Sequence, residues 1–362
     1  MSTIYNFNPG PAILPKEVLL EIKNNFLNWN HSKSSIIEIS HRSSKFIEFT
    51  LQAEKNLRYI LNIPENYYIL FCHGGARGQF SAIPLNLTKK FIKPDYINSG
   101  YWSLCAAKEA KKYCNPNIIN VRKFTQDNKV YIQSIQNWKV SYKNTYLHYC
   151  PNETIEGIEI FEEPFLKNKI IIGDFSSTIL SRQINIDKYG MIYACAQKNI
   201  GPAGITLVII RNDLLGSVSY QTPSILDYQL LAQSNSMLNT PSVFSWYVAG
   251  LVFKWIKELG GLDFIEKNNK KKARILYKYL HSTGFYKNYI VPINQSRMNI
   301  TFHLQKKELT DLFVKMAEKN RLYGLKGHSL VGGIRASIYN AMPIKGIKHL
   351  INFMKFFEKK FG

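Results

Sequence analysis

The sequence predicts an α/β protein in which a largely parallel sheet covered by helices is followed by a smaller α+β unit. Three observations carry that reading. Between residues 16 and about 260, short apolar runs bounded by turn residues alternate with helical patterns, the arrangement expected of strands joined by helical crossovers. The chain has 362 residues, enough for about two domains at roughly 150 residues each, and the Gly260-Gly261 pair punctuates it. With 45% hydrophobic and 13% aromatic residues, it can bury enough apolar surface to offset its conformational entropy, which excludes a disordered or fibrous chain.

The elements follow in order. Residues 1–15 read as an extended arm, because the prolines of Asn8-Pro9-Gly10-Pro11 exclude helix. A helix begins after Pro15. Tyr68-Ile69-Leu70-Phe71 reads as a strand, followed by Gly-rich text and a helix that Pro84 closes. Further strands are expected at Thr145 to Tyr149, Lys169 to Gly173, Met191 to Cys195 and Ile205 to Ile210. The large unit therefore spans 16–260 and the small one 261–362. The small unit reads as a basic helix (Lys267 to Leu280), a strand (Met298 to Leu304), a helix near Glu308 to Lys319 and an amphipathic helix from Lys345. No internal repeat or low-complexity linker separates the two.

The 47 Lys+Arg against 25 Asp+Glu leave a net charge of +22. The lysines are spread through the chain instead of forming one tail or stripe, so nucleic acid is not the expected partner; a positive field that attracts small anionic substrates is. Lys270-Lys271-Lys272, beside Glu266, reads as a solvated helix face. The most apolar run, Phe244 to Ile256, is interrupted by Lys254 and falls short of the ~20 residues of a membrane span. The first residues lack the basic and apolar regions of a secretory signal, and a cytoplasmic protein is expected. Five scattered cysteines without a C-x-x-C pair predict free thiols and no metal site.

Three segments could carry chemistry. His73-Gly74-Gly75-Ala76-Arg77-Gly78-Gln79 lies between a strand and a helix; it reads either as a phosphate cradle at a helix start or as a tight turn. It is neither a P-loop nor a dinucleotide fingerprint. In Ile170 to Ser177, Asp174 emerges at the carboxyl end of an apolar run, where open α/β sheets place ligands; it is either a buried carboxylate needing a cation or a turn cap. In Met191 to Gly204, Lys198 follows an apolar strand and enters a Gly/Pro loop. Desolvation there favours the neutral amine that forms a Schiff base. Together the three suit pyridoxal phosphate: an amine for its aldehyde, an acid for its ring nitrogen and a helix start for its phosphate.

The carrying text extends over nearly the whole chain. It includes Phe7 to Ala12, Ile39-Ser40-His41-Arg42-Ser43, Phe71 to Phe80, His148 to Thr154, Asp174 to Ser177, Gly190 to Ala203, Ser236 to Ser242, and Lys326 to His328 with Arg335 to Asn340. With these segments the chain closely resembles the phosphoserine aminotransferases, fold-type-I, class-V pyridoxal-phosphate enzymes. The resemblance implies a mostly parallel seven-stranded sheet between helices. It implies Lys198 as the residue that holds the cofactor and shuttles the proton, and Asp174 as the partner of the pyridinium nitrogen. Trp102 would stack on the ring, although it also reads as a core tryptophan, and Thr154 would bond near the phenolic oxygen. Ala76, Arg77 and Gln197 would cradle the phosphate, with Asn239 and Thr240 reaching over from a second subunit of a homodimer.

For substrate, the resemblance implies Arg335 as the clamp on the α-carboxylate. His41 and Arg42 of the second subunit, with His328, would meet the distal phosphate or carboxylate; from the sequence alone His41-Arg42 read equally as a surface pair and His328 as a loop residue. The implied reaction moves the amino group of glutamate to 3-phosphohydroxypyruvate, with a related phosphorylated four-carbon oxo acid of pyridoxine synthesis as a second acceptor. Two departures stand out. Ser329 occupies a place that is often arginine, and Pro9 replaces a small polar residue and has no N–H. The competing readings are a transaminase or desulfurase acting on another amino acid, and a nucleic-acid-binding protein on an inactive scaffold.

Overall fold

The computed structural model describes residues 4–87, 93–141, 146–166, 169–216, 218–219 and 221–362. Its main sheet has seven strands: β1 (Tyr67–Cys72), β2 (Asp95–Asn98), β3 (Asn117–Asn120), β4 (Tyr146–Tyr149), β5 (Ile170–Asp174), β6 (Met191–Cys195) and β7 (Thr206–Arg211), in the order β1-β7-β6-β5-β4-β2-β3. Thr145, expected to open β4, lies outside the described residues. Strands β6, β5, β4, β2 and β3 pair in parallel, whereas β7 is antiparallel to both β6 and β1. The mostly parallel expectation holds, and its exception has a local cause. No helix separates β6 from β7, so the chain returns directly through the Lys198 loop and pairs beside the strand it left.

Both faces of the sheet are covered. Ile171, Ile192, Leu207 and Ile209 pack with α2 (Ser44–Leu61) and α6 (Val243–Glu258), reached after α1 (Lys16–Asn25). Ile172, Met191, Val208 and Ile210 pack with α3 (Gly75–Leu87), α4 (Tyr101–Ala110) and α5 (Tyr228–Gln233). Burial on both sides explains why the strands read as continuous apolar runs. The polar side chains among them are paired: the hydroxyls of Tyr96 and Tyr146 meet at 2.8 Å, and His148 Nε2 meets the Tyr193 hydroxyl at 2.8 Å. Burial pushes the His148 pKa down to about 3, so its imidazole is neutral.

The helix expected to stop at Pro84 runs on to Leu87. Its last turn is held from outside, since Asn86 Nδ2 donates to the carbonyls of Ala82 and Leu226 and Asn86 Oδ1 accepts from Tyr228 N–H. Those bonds, with Phe80 and Ile83 in the core, offset the interior proline.

After Gly260, α7 (Gly261–Ser282) contributes Leu262 and Ile265 to the core of the large sheet and Ala273 to Leu280 to a second core. That core lies on an antiparallel sheet of β8 (Tyr286–Lys287), β9 (Asn299–Leu304) and β10 (Ile334–Ser337), with α8 (Thr310–Lys319) and α9 (Ile344–Phe361). The arm joins it: Tyr5–Asn6 pairs in parallel with Leu322–Tyr323, and Phe7 is buried there. No helix among the described residues is long and apolar enough to cross a membrane.

One expectation fails here. Lys272 is 1% exposed, not part of a solvated face. Its ammonium donates to the carbonyls of Ile338, Tyr339 and Asn340 at 2.9, 2.6 and 3.4 Å, and burial pushes its pKa down to about 7. The helical period turns the third lysine of the triplet inward, and carbonyls take the place of water. Lys272→Met, which keeps the volume and orphans the carbonyls, is expected to lower stability by about 2 kcal/mol; the denaturant midpoint at constant m-value measures it.

Candidate active site

The carboxyl ends of five parallel-directed strands converge on one cavity of about 290 Å³, lined by Ala76, Arg77, Trp102, Asn152, Asp174, Ser177, Gln197 and Lys198 among others. Each strand hands over to a segment of the site. Cys72 leads through Gly74 and Gly75 into α3; Asn98 leads into α4 and Trp102; Tyr149 leads to Asn152, Glu153 and Thr154. Asp174 ends β5, and Lys198 lies three residues beyond the end of β6. Ligands of open α/β sheets bind at this edge.

The turn into α3 contains two left-handed residues, Gly74 at φ +89° and Gly75 at φ +63°. A side chain at either would be strained. The α3 N-terminus thereby faces the cavity with its partial positive charge, which suits a phosphate. Ala76 N–H currently meets Cys195 Sγ at 3.1 Å, a weak acceptor that an anionic oxygen outcompetes.

Asp174 is 6% exposed. Burial raises its pKa, opposed by Ser176, by the positive charge of Lys198 and by the Tyr193 hydroxyl. Ser176 N–H donates to Asp174 Oδ1 at 3.0 Å, so the capping role and the buried-carboxylate role coexist. Lys198 is half-buried and opens on the cavity, with Nζ 6.0 Å from the centroid of the Trp102 ring; the Arg77 guanidinium is 5.9 Å from the same ring. Trp102 is therefore a wall of the cavity, not an interior core residue. Its Nε1 donates to Thr154 Oγ1 at 2.9 Å.

Thr154 also joins the cavity to the small unit, since Arg335 Nη1 donates to its carbonyl at 3.1 Å. Arg335 is 6% exposed, its Nε has no hydrogen-bond partner, and burial lowers its pKa. A buried guanidinium with one carbonyl contact has donors left for a carboxylate. The arm reaches the same place: Ala12 N–H donates to the Gln197 carbonyl at 2.9 Å and Pro9 accepts from the Tyr339 hydroxyl at 2.8 Å. Pro9 thus serves as an acceptor, which its missing N–H does not affect.

The remaining expected residues lie elsewhere in this chain. His328 is beside Tyr101, ring centroids 5.9 Å apart. His41 and Arg42 occupy the turn before α2, half-buried and exposed, and Asn239 and Thr240 are exposed; none of these five lines the cavity. Sequence reasoning missed Ser176, Ser177, Asn152 and Cys195 as lining residues. All stand within the motif segments, and their signal was adjacency to Asp174, Thr154 and Lys198. Among the described residues no cluster of metal-ligating side chains occurs and no two cysteines are joined by a disulfide.

Asp174 supplies a test. Its folded pKa lies above the unfolded value of 3.8, so its ionisation costs stability as pH rises from the unfolded value through the folded one. Asp174→Asn is expected to raise the thermal midpoint of the cofactor-free protein at pH 7 and to erase that pH dependence. Turnover of the loaded protein should fall by about a hundredfold or more. Calorimetry and steady-state kinetics measure the two effects.

The sequence profile described as Aminotransferase class-V matches residues 4–350. The phosphoserine aminotransferase of Buchnera aphidicola subsp. Cinara cedri is 76% identical over 362 residues, covering 100% of both chains. The solved phosphoserine aminotransferase from Bacillus circulans subsp. alkalophilus superposes with a TM-score of 0.95 at 38% identity over 99% of each chain. That of Trichomonas vaginalis, solved with pyridoxal phosphate bound, superposes with a TM-score of 0.92 at 40% identity over 98% of this chain and 100% of its own. The chain belongs to the class-V aminotransferase family.

Proposed function

We propose that the protein transfers the amino group of glutamate to 3-phosphohydroxypyruvate, giving phosphoserine and 2-oxoglutarate, with pyridoxal phosphate as cofactor. The observation that carries this reading is the cavity in which Lys198, Asp174, Trp102 and the start of α3 meet. The residues fit the cofactor. An amine, a buried carboxylate wanting a cation, an aromatic wall and a helix N-terminus match an aldehyde, a ring nitrogen, a flat ring and a phosphate.

Bound pyridoxal phosphate supplies an electron sink for the carbanion left when a substrate loses its α-proton. Lys198 Nζ would hold the cofactor's aldehyde and would carry the proton between the substrate α-carbon and the cofactor carbon that bore the aldehyde. Asp174 keeps the ring nitrogen protonated. Trp102 stacks on the ring. Thr154 Oγ1, already accepting from the indole, donates its own proton towards the phenolic oxygen. Ala76, Arg77 and Gln197 bind the phosphate.

Arg335 holds the α-carboxylate in its planar fork. The distal anion of either substrate meets His328 together with His41 and Arg42 of a second copy, and Asn239 and Thr240 of that copy complete the phosphate site. Exposed Ile37, Ile47, Leu51 and Leu238 accompany those residues in the sequence, apolar surface suited to contact with a second chain. In this reading the protein is a homodimer of the cytoplasm, a compartment that keeps its five thiols reduced. Residues 16–260 form the cofactor-binding domain and 261–362 the domain that brings Arg335. The same anion site admits the related phosphorylated four-carbon oxo acid.

Two experiments decide. Glutamate added to the cofactor-loaded protein is expected to shift its visible absorbance, and turnover should require the phosphate of the acceptor; Lys198→Ala should lose both, with turnover down at least about a thousandfold. Equal rates with the unphosphorylated oxo acid would redirect the reading to another substrate. Mixing inactive Lys198→Ala and Arg42→Ala chains should restore about half the unaltered activity in each mixed dimer, about a quarter over a random mixture, if the site is shared, and none if it is not.

A further inference from the structure

The segment from Glu153 to Glu156 holds both halves of the site. Glu153, fully buried, accepts from the N–H groups of Ser103 and Trp102 at 2.9 Å each and from Ser99 Oγ at 3.2 Å. Glu156 Oε1 accepts from Tyr101 N–H at 2.9 Å. The two carboxylates therefore sit on the positive end of α4, the helix that carries Trp102. Gly100 makes room for them: a Cβ there would lie 2.6 Å from Glu153 Cγ and 3.0 Å from Glu156 Cδ.

On its other side the segment grips the small sheet. The Glu156 carbonyl accepts from Thr301 Oγ1 at 2.9 Å, and Thr301 is the cross-strand partner of Arg335. Glu156 Oε2 is buried without a hydrogen-bond partner, as is Arg335 Nε, and the negative charge of Glu156 acts on the Arg335 guanidinium. We propose that Glu156 is a positioning residue that sets the affinity of Arg335 for a carboxylate, its negative charge opposing the incoming anion and its protonated form releasing that opposition. This rests on Arg335 being the carboxylate clamp.

The groups that face Glu156 are few. Glu153 on the same segment adds repulsion, and Arg122 Nη1, 3.7 Å from Oε1, attracts. Arg335 stands on β10, opposite Thr301, where the charges of Glu156 and of the Tyr339 hydroxyl act on it. On α4, Tyr101 presents its N–H and has His328 beside its ring. Burial, followed by Glu153, pushes the Glu156 pKa up to about 7, and Arg122 restrains it. The carboxyl thus changes charge near neutrality while Glu153 keeps its amide donors.

The test uses the cofactor-loaded enzyme with L-glutamate as amino donor and 3-phosphohydroxypyruvate as acceptor, from pH 6 to pH 8.5. In the unaltered protein the KM for glutamate is expected to rise about fivefold across the range, equivalent to under one pKa unit of interaction, with kcat changing much less. Glu156→Gln, which retains an acceptor for Tyr101 N–H, should hold the low KM throughout; Glu156→Asp, which retains the charge, should restore the rise. Arg122→Gln removes the attracting cation at the surface side and should move the rise to higher pH. A KM profile unchanged in both Glu156→Gln and Arg122→Gln overturns the proposal while leaving the reaction in place. If Glu156→Gln does not fold, an unmoved midpoint in Arg122→Gln overturns it alone. Absence of turnover in the unaltered protein overturns the reaction assignment and the proposal with it, and Arg335→Lys leaving the KM for glutamate unchanged overturns the clamp assignment on which the proposal stands.

Discussion

A carboxylate at the buried end of a central strand is the constraint around which the rest is arranged. Asp174 is out of water, and an ionised carboxylate in such a place needs hydrogen bonds and a positive partner. Ser176 N–H supplies one hydrogen bond, and the charge of Lys198 is the cation that acts on it across the cavity. A protonated heterocycle held in the cavity would satisfy the carboxylate better than the protein alone. The sheet order makes this geometry possible. Strands β5 and β6 are parallel neighbours with Asp174 opposite Tyr193, so their ends release Asp174 and Lys198 on the same edge. The antiparallel return of β7 keeps the Lys198 loop short and pinned.

That arrangement shows why a buried acid, Glu153, and a partly buried one, Glu156, only three residues apart, are tolerated beside the cavity. Glu153 meets backbone N–H groups of α4 and the Ser99 hydroxyl, and Glu156 meets the Tyr101 N–H and the Arg122 guanidinium. A helix N-terminus disperses part of their charge, but one start cannot neutralise two carboxylates, and the pKa of both is raised. The residual electrostatic stress falls on Glu156, whose second oxygen has no partner. Holding Trp102, Thr154 and Arg335 together thus leaves one group whose charge is adjustable, and it lies within electrostatic reach of the guanidinium that has donors to spare.

The large sheet and the positions of Lys198, Asp174 and the α3 start were legible in the sequence, because they rest on apolar runs that end at polar residues. A doubly buried parallel strand and its carboxyl-end residue leave a local signature. What was not legible depends on which way a side chain turns once packed. Lys272 reads as one of three surface lysines and is interior, because the inward face of α7 is set by its contacts with the turn after β10. Pro84 reads as a stop, and the bonds that carry α3 past it come from Asn86 and Tyr228, far away in sequence. The roles of Arg42, Asn239 and Thr240 came from resemblance alone: they stand off the cavity of their own chain, and no spacing along one chain encodes a contact with another.

The turn held by Lys272 also bears on how substrate binding reaches the chemistry. Residues 338–340 continue β10, which carries Arg335, and Asn340 N–H donates to Asn199 Oδ1 beside Lys198 at 3.1 Å, while Asn340 Nδ2 donates to the Leu180 carbonyl at 2.7 Å. Tyr339 adds the arm through Pro9. The strand that carries Arg335 therefore leads into a turn bonded at one end to the ammonium of Lys272 and at the other to the residue after Lys198. With its carbonyls fixed by a buried cation, the turn has little freedom to move. Two units joined by a flexible linker would lose this coupling. Here the arm, the turn and the Lys198 loop form one hydrogen-bonded strip, which joins the strand of Arg335 to the loop of Lys198 although the two stand on different sheets.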